Sequence, residues 1–194
     1  MEEFLYRACL RVILALEAGC VRWPGFGRLY QRLFYLPLLK EEISLARLMP
    51  GERVLHIGGG SYPCTALQLA RSGCFVCLID SDGRAVSNAK RVVARNRMSR
   101  RIEVIKADGR KVLGDDYDAI WISLLVQPKE KIISRLLPLV LQNKTKRIVY
   151  RNPRGIFKQL YPTVDAHKLI SHYNGQLAAL LTTKKSVVIM RREV

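Results

Sequence analysis

The feature that most constrains the fold is a run of three glycines directly after a short apolar segment. Val54, Leu55, His56 and Ile57 lead into Gly58, Gly59, Gly60 and Ser61, and a helix-like stretch, Thr65–Arg71, follows. A strand that enters a glycine turn and leaves as a helix is the first unit of a wound α/β sheet, because the crossover helix folds back over the strand it left. Glycines at such a turn let the backbone take unusual dihedrals and let a ligand approach the main chain closely. A second apolar run, Phe75–Ile79, ends in Asp80. This acid lies about twenty residues after the glycines, where a carboxylate can accept hydrogen bonds from both hydroxyls of a ribose.

Beyond Arg53 the chain alternates short apolar runs with helix-like stretches, which predicts βαβ units and a mostly parallel sheet. The expected strands are Val54–Ile57, Phe75–Ile79, Ile102–Ala107, Tyr117–Leu125 and Arg147–Tyr150, and the expected helices are Thr65–Arg71, Gly83–Asn96 and Glu130–Leu141. Two further β-prone runs, Gln176–Thr182 and Ser186–Arg191, are joined by only three residues, so they must pair antiparallel. A seven-stranded, Rossmann-like sheet closed by a C-terminal antiparallel hairpin is the layout of the class I methyltransferase fold. Upstream, residues 4 to 18 have helical apolar spacing with Gly19 as a stop, Trp23–Gly27 break the pattern, and a second helical stretch runs from Leu29 to Leu48, re-angled at Pro37. This divides the chain into an N-terminal helical segment, 1–50, packing on or covering the site, and a ligand-binding domain, 51–194.

The ligand expected at the glycines is S-adenosylmethionine. No G-x-x-x-x-G-K-[ST] loop is present, and Pro63 stands where a dinucleotide-binding turn carries its third glycine. The third strand ends in Ala107 and Asp108, an acid placed to receive an adenine amino group in enzymes that use this donor. Candidate cofactor-binding residues are therefore Gly58, Gly59, Gly60, Ser61, Thr65, Asp80, Ser81, Asp108 and Gly109. Both acids also have plainer roles open to them, Asp80 as the cap of the next helix and Asp108 as the start of a turn.

Charge widens the range of partners. Lys and Arg number 33 against 16 Asp and Glu, a formal +17, which suits nucleic acid, an acidic membrane surface or a carboxylate-rich small substrate. The five cysteines lack the density of a secreted disulfide scaffold and imply a reducing compartment, the cytoplasm. Cys74 and Cys77 have C-x-x-C spacing but lie in a strand, where positions three apart face opposite ways, so no metal site is expected. The N-terminal helix carries too many charges to span a membrane, and no signal peptide is read.

Several segments resemble the nicotianamine synthase family over residues 35 to 192. Ile57–Thr65 is similar to that family's G-x-G-P-L-P-L-T segment, with Ser61 and Tyr62 replacing Pro-Leu, and Asp80-Ser81-Asp82 resembles its paired acids. Arg147–Arg151, Gly155 and Leu160-Tyr161-Pro162-Thr163-Val164 resemble the stretch after its fifth strand, and Ser186–Ile189 resembles its closing strand. The resemblance implies transfer of the aminocarboxypropyl (aminobutyryl) group of S-adenosylmethionine to an amine or amino-acid substrate. Methylthioadenosine is released and a nicotianamine-like metal chelator is made, which places the chain in metallophore biosynthesis.

Tyr35 with Glu42 seven residues later resembles the segment bearing a catalytic glutamate. Glu42 is thus the expected general base, with Glu41 as the nearby competitor; its pKa is expected to be raised by an apolar setting, and Tyr62 or Tyr161 is expected to orient the amine. Tyr35, Arg151 and Arg154 are the expected substrate-binding residues, the arginines serving as carboxylate anchors. The alternative is a methyltransferase acting on a small molecule or RNA. The cations Arg91, Arg95, Arg97, Arg100, Arg101 and Lys106 would form its phosphate track. The apolar stretch Leu29–Leu39 is expected to be core or lid, with a homodimer surface as the other option.

Overall fold

A computed structural model describes residues 2–155, 157–171, 178–183 and 186–191. Seven strands form one sheet in the order β3-β2-β1-β4-β5-β7-β6. They are β1 (Arg53–Ile57), β2 (Phe75–Asp80), β3 (Ile102–Lys106), β4 (Ala119–Ile122), β5 (Arg147–Arg151), β6 (Ala178–Thr182) and β7 (Ser186–Arg191). β1 to β5 pair parallel, whereas β7 lies antiparallel to both β5 and β6. This is the expected mostly parallel sheet with a C-terminal antiparallel hairpin. The expected strand start at Gln176 falls outside the described residues.

The sheet is buried on both faces. One layer joins Val54, Val76, Trp121, Val149 and Val188 to α4 (Cys64–Arg71), α5 (Gly83–Arg95) and the N-terminal helices. The other joins Leu55, Ile79, Ile122, Ile148 and Ile189 to α6 (Lys129–Gln142) and, past the short α7 (Phe157–Leu160), to α8 (Ala166–Ser171). Alternation along each strand sends neighbours to opposite layers, which is why the parallel strands read as unbroken apolar runs.

Upstream of the sheet, α1 (Glu2–Arg22), α2 (Pro24–Tyr30), a π-helical turn (Gln31–Tyr35) and α3 (Leu36–Leu45) follow almost without interruption. Gly19 does not stop α1, which runs on to Arg22; a Cβ there would make only ordinary contact with the Phe26 ring (3.5 Å). The break falls at Trp23 alone, and Pro24 opens α2 at a position where its missing N–H is no loss. Pro37 lies in the first turn of α3 and does not interrupt it; the irregularity is taken up by the preceding π turn.

Polar ties hold these helices to the sheet layer. Buried Gln31 donates to the Cys64 carbonyl (3.1 Å) and accepts from Arg71 (2.9 Å). Arg147, projecting from β5, donates to Glu52 and to the Ala46 carbonyl (2.8 Å).

Candidate functional site

The carboxyl ends of the parallel strands open into a cavity of about 600 Å³. Because the strand order reverses direction at β1, the loops after β1 and β4 diverge there and leave a crevice. The cavity therefore has two ends, one built by β2 and β3 and the other by β4, β5 and the N-terminal helices.

The glycine turn lies between them. Gly58 and Gly60 have φ of +80° and +65°, which favour glycine. A Cβ on Gly58 would sit 2.3 Å from Val126, and one on Gly59 2.2 Å from Leu78. Neither position has room for a side chain, and the turn is held tight by its own N–H groups, Gly58 and Gly59 donating to the Ile79 carbonyl (2.9 and 3.4 Å). The Asp80 carboxylate accepts from the Gly60 N–H (2.9 Å) and the Asp82 N–H (3.0 Å), fixing it at the end of β2. Asp82, not Asp80, caps α5, through the Arg84 N–H.

Ser61, Thr65, Ser81, Asp108 and Gly109 also line the cavity. Asp108 is gripped by Arg110 (2.6 to 3.0 Å), whose side-chain bond pulls its pKa down to about 2. It is thus a fixed anion at the β3 end. The residues expected to hold a nucleoside are brought to one rim, and their chemistry fits one: a carboxylate level with the glycine turn and a second at the next strand.

At the other end Glu42, the expected base, is enclosed by donors. Glu42 has no exposed surface and does not line the cavity. Arg151 donates to both its carboxylate oxygens (2.7 Å each), Trp121 Nε1 donates (3.1 Å), and the Ser186 hydroxyl donates as well. Burial raises its pKa, but the Arg151 charge and these donors outweigh burial and hold the carboxyl below its ordinary value. The raised pKa expected for Glu42 is therefore reversed, because its surroundings are a cluster of donors rather than an apolar helix.

Arg151 does line the cavity, stacked 5.7 Å over the Tyr35 ring, which lines it too. Its Nε and Nη2 are taken by Glu42, and Nη1 has no hydrogen-bond partner among the described residues. Tyr62 reaches the cavity wall but is wedged against α2, where a Cβ on Gly27 would fall 2.5 Å from its hydroxyl; burial pushes its pKa up to about 12. Tyr161 is buried behind Phe157, and Arg154 is exposed off the cavity. The segment containing Tyr161 is anchored by the Asn152 amide, which pairs with both backbone groups of Val164.

Three cavity residues were not expected. Glu17 of α1 reaches over the glycine turn and accepts from the Ser61 N–H (2.9 Å). Burial raises its pKa, the Ser61 bond opposes this, and the Asp80 charge adds to the rise. Its place in the sequence carried a signal: Ile13, Glu17 and Cys20 fall on one helical face, so an acid sits on the inward stripe.

His56, on β1, is the second. Its Nε2 lies 2.9 Å from the third, the Ser123 hydroxyl, and its Nδ1 is buried without a partner. Burial and then the Arg151 charge lower its pKa to about 3, so the ring is neutral. A polar residue inside a buried strand, one step from the glycines, was the available clue. Behind them, buried Lys129 ties the Leu124 carbonyl (2.9 Å) to the Arg151 carbonyl (2.6 Å), locking the β4 loop to the end of β5.

The family model for nicotianamine synthase protein matches residues 30–193. An L-histidine 2-aminobutanoyltransferase of Yersinia pestis is 30% identical over 155 residues, covering 78% of this chain and 57% of that protein. This chain thus spans little more than half of that relative. A glutamate-to-glutamine mutant of MtNAS in complex with S-adenosylmethionine superposes with TM-score 0.76 at 21% identity, over 100% of this chain and 77% of that one. MtNAS in complex with MTA and tNA gives 0.75 at 20% identity, over 100% and 75%. A magnesium protoporphyrin IX methyltransferase from Synechocystis gives 0.62 at 14% identity, over 80% and 79%, which shows the shared class I methyltransferase fold.

Proposed function

The chain belongs to the nicotianamine synthase family, and on that premise we propose that it transfers the aminocarboxypropyl group of S-adenosylmethionine to the amine of an amino-acid acceptor. Methylthioadenosine leaves, and the product is a nicotianamine-like metal chelator. The observation that carries this reading is the two-ended cavity: two fixed carboxylates at one rim, an arginine and a neutral imidazole at the other, and the Glu17 carboxylate over the glycine turn between them. The relative's name gives L-histidine as the first acceptor to test. The described cysteines Cys20, Cys64, Cys74 and Cys77 are free and buried, which supports a reducing, cytoplasmic setting.

When bound, the donor supplies an electrophilic carbon on a cationic sulfur. The chain's residues do the rest by holding partners in line. Asp80 accepts from the ribose hydroxyls, and Asp108 faces the adenine end. Arg151 uses its remaining nitrogen, Nη1, for the acceptor's carboxylate, with Glu42, Trp121 and Ser186 fixing the guanidinium from behind. Tyr35 presses on the same guanidinium.

The incoming amine must lose a proton, and Glu17 is the base this geometry supports. It is on the cavity, whereas Glu42 is sealed in an ion pair. A carboxylate of raised pKa holds a proton better at neutral pH than an ordinary one. His56 stays neutral and holds the Ser123 hydroxyl of the cavity wall through Nε2.

The test is to incubate the protein with S-adenosylmethionine and L-histidine and identify the leaving nucleoside by mass spectrometry. Methylthioadenosine is expected; S-adenosylhomocysteine would show that the methyl carbon is attacked and overturn the proposal.

A further inference from the structure

Of the twelve large apolar side chains that are exposed among the described residues, eight lie between Val12 and Phe34. Such concentration is unlike the scattered exposure of ordinary surfaces. Phe26, Leu29 and Leu33 follow one another at i, i+3 and i+7 along α2 and the π turn, with Phe34 beside them and Trp23 at the entry. Exposed Arg22, Arg28 and Arg32 flank this stripe. The one acid between Val12 and Lys40 is Glu17, and it is turned inward to the Ser61 N–H. The face is therefore apolar and aromatic, bordered by cations alone.

We propose that this face, α2 with the Gln31–Tyr35 turn and the adjoining side of α1, docks on an anionic lipid bilayer surface. An apolar stripe containing Trp, Phe and Leu beside basic residues is the pattern of a helix that lies in the headgroup region, its apolar side sunk into the acyl boundary. The arginines then face lipid phosphates, and the +17 chain adds long-range attraction. No helix among the described residues is long and apolar enough to cross a membrane, so the mode is lying on the surface rather than spanning it. A second copy is a poorer occupant, because a self-complementary interface would bring like-charged arginine rims together. The consequence is local to the site: α1 carries Glu17, so the bilayer would lie beside the cavity and steady the helix that covers the glycine turn.

The protein contains two tryptophans, and Trp121 is buried and hydrogen-bonded, so an emission change reports Trp23. The full chain is titrated with phosphatidylcholine vesicles with and without phosphatidylglycerol, and binding is checked by co-sedimentation. Expected are a blue shift and sedimentation with the anionic vesicles, both fading as salt rises. Arg28→Gln with Arg32→Gln weakens partitioning roughly tenfold or more, and Leu29→Ser with Leu33→Ser removes it. None of these four residues lines the cavity, so nucleoside release measured without vesicles stays at the wild-type rate.

No blue shift and no sedimentation, or equal binding to vesicles without phosphatidylglycerol, would overturn the proposal. So would a dimer in light scattering that becomes a monomer in the leucine variant, since that assigns the face to a second copy.

Discussion

Replacing Glu42 by Gln separates a structural carboxylate from a chemical one. Glu42 is fully buried, Arg151 is 8% exposed, and the pair shares two bonds of 2.7 Å backed by Trp121. The glutamine keeps the shape and one acceptor oxygen but leaves the guanidinium buried without its counter-charge. Breaking a buried pair by removing one partner costs about 3–5 kcal/mol. For a chain of this length that lowers Tm by about 6–20 °C, at about 2–4 °C per kcal/mol.

The assay is thermal denaturation by circular dichroism together with kcat and KM for the acceptor. Arg151→Met added to Glu42→Gln should recover part of the lost stability, because the stranded charge is gone. The pair's stabilisation is present above the ordinary glutamate pKa and is lost as pH falls through the depressed native value of Glu42. Acid should therefore unfold the wild type and spare the double variant relative to its neutral-pH stability. A Glu42→Gln protein with unchanged Tm and no turnover would overturn the ion-pair role and return the base to Glu42.

Glu17→Gln should leave Tm unchanged or slightly higher, since a crowded carboxylate near Asp80 is neutralised, while kcat/KM falls by about 10²–10⁴. In the wild type, activity should decline as pH falls through the raised pKa of Glu17, because the base works only when ionised. His56 is held neutral with a pKa near 3 against 6.5 unfolded, so the unfolded chain binds its proton first on acidification. Stability should then drop by up to about 1.4 kcal/mol per pH unit below pH 6.5, and His56→Gln should remove that slope in denaturant titrations across pH. Asp80→Asn should raise the dissociation constant for S-adenosylmethionine by about ten- to a hundredfold in calorimetry, and should lower Tm by a few degrees, since the amide can accept only one of the Gly60 and Asp82 N–H bonds.

The central strands were legible because strands buried on both faces are continuous apolar runs, and β1, β2, β5 and β7 begin or end within a residue of expectation. β4 is shorter than the expected Tyr117–Leu125: Leu124 and Leu125 are apolar because they wall the cavity, not because they extend the strand past Ile122. The helices Phe157–Leu160 and Ala166–Ser171 are too short to show a period. The glycine rim was readable, since a positive φ and a close approach leave a mark in residue type.

The acceptor end was not readable in the same way. Whether Glu42 is a base or half of an ion pair depends on Arg151, Trp121 and Ser186, which are distant in sequence and meet only in the fold. Glu17 and His56 were polar residues on apolar patterns, but their shared cavity is created by packing α1 over β1. The basic cluster reads differently too. Arg95 donates to the Val21 carbonyl (2.7 Å) and Arg101 to the Gly73 carbonyl (2.6 Å), so part of that charge staples the fold.

Which carbon is attacked is tested most simply by following the donor's carbons. S-adenosylmethionine labelled in its methyl group, and separately in its aminocarboxypropyl group, is turned over with L-histidine and the product is mass-analysed. The two-ended cavity predicts label in the product only from the aminocarboxypropyl donor. Label carried over from the methyl donor would contradict it.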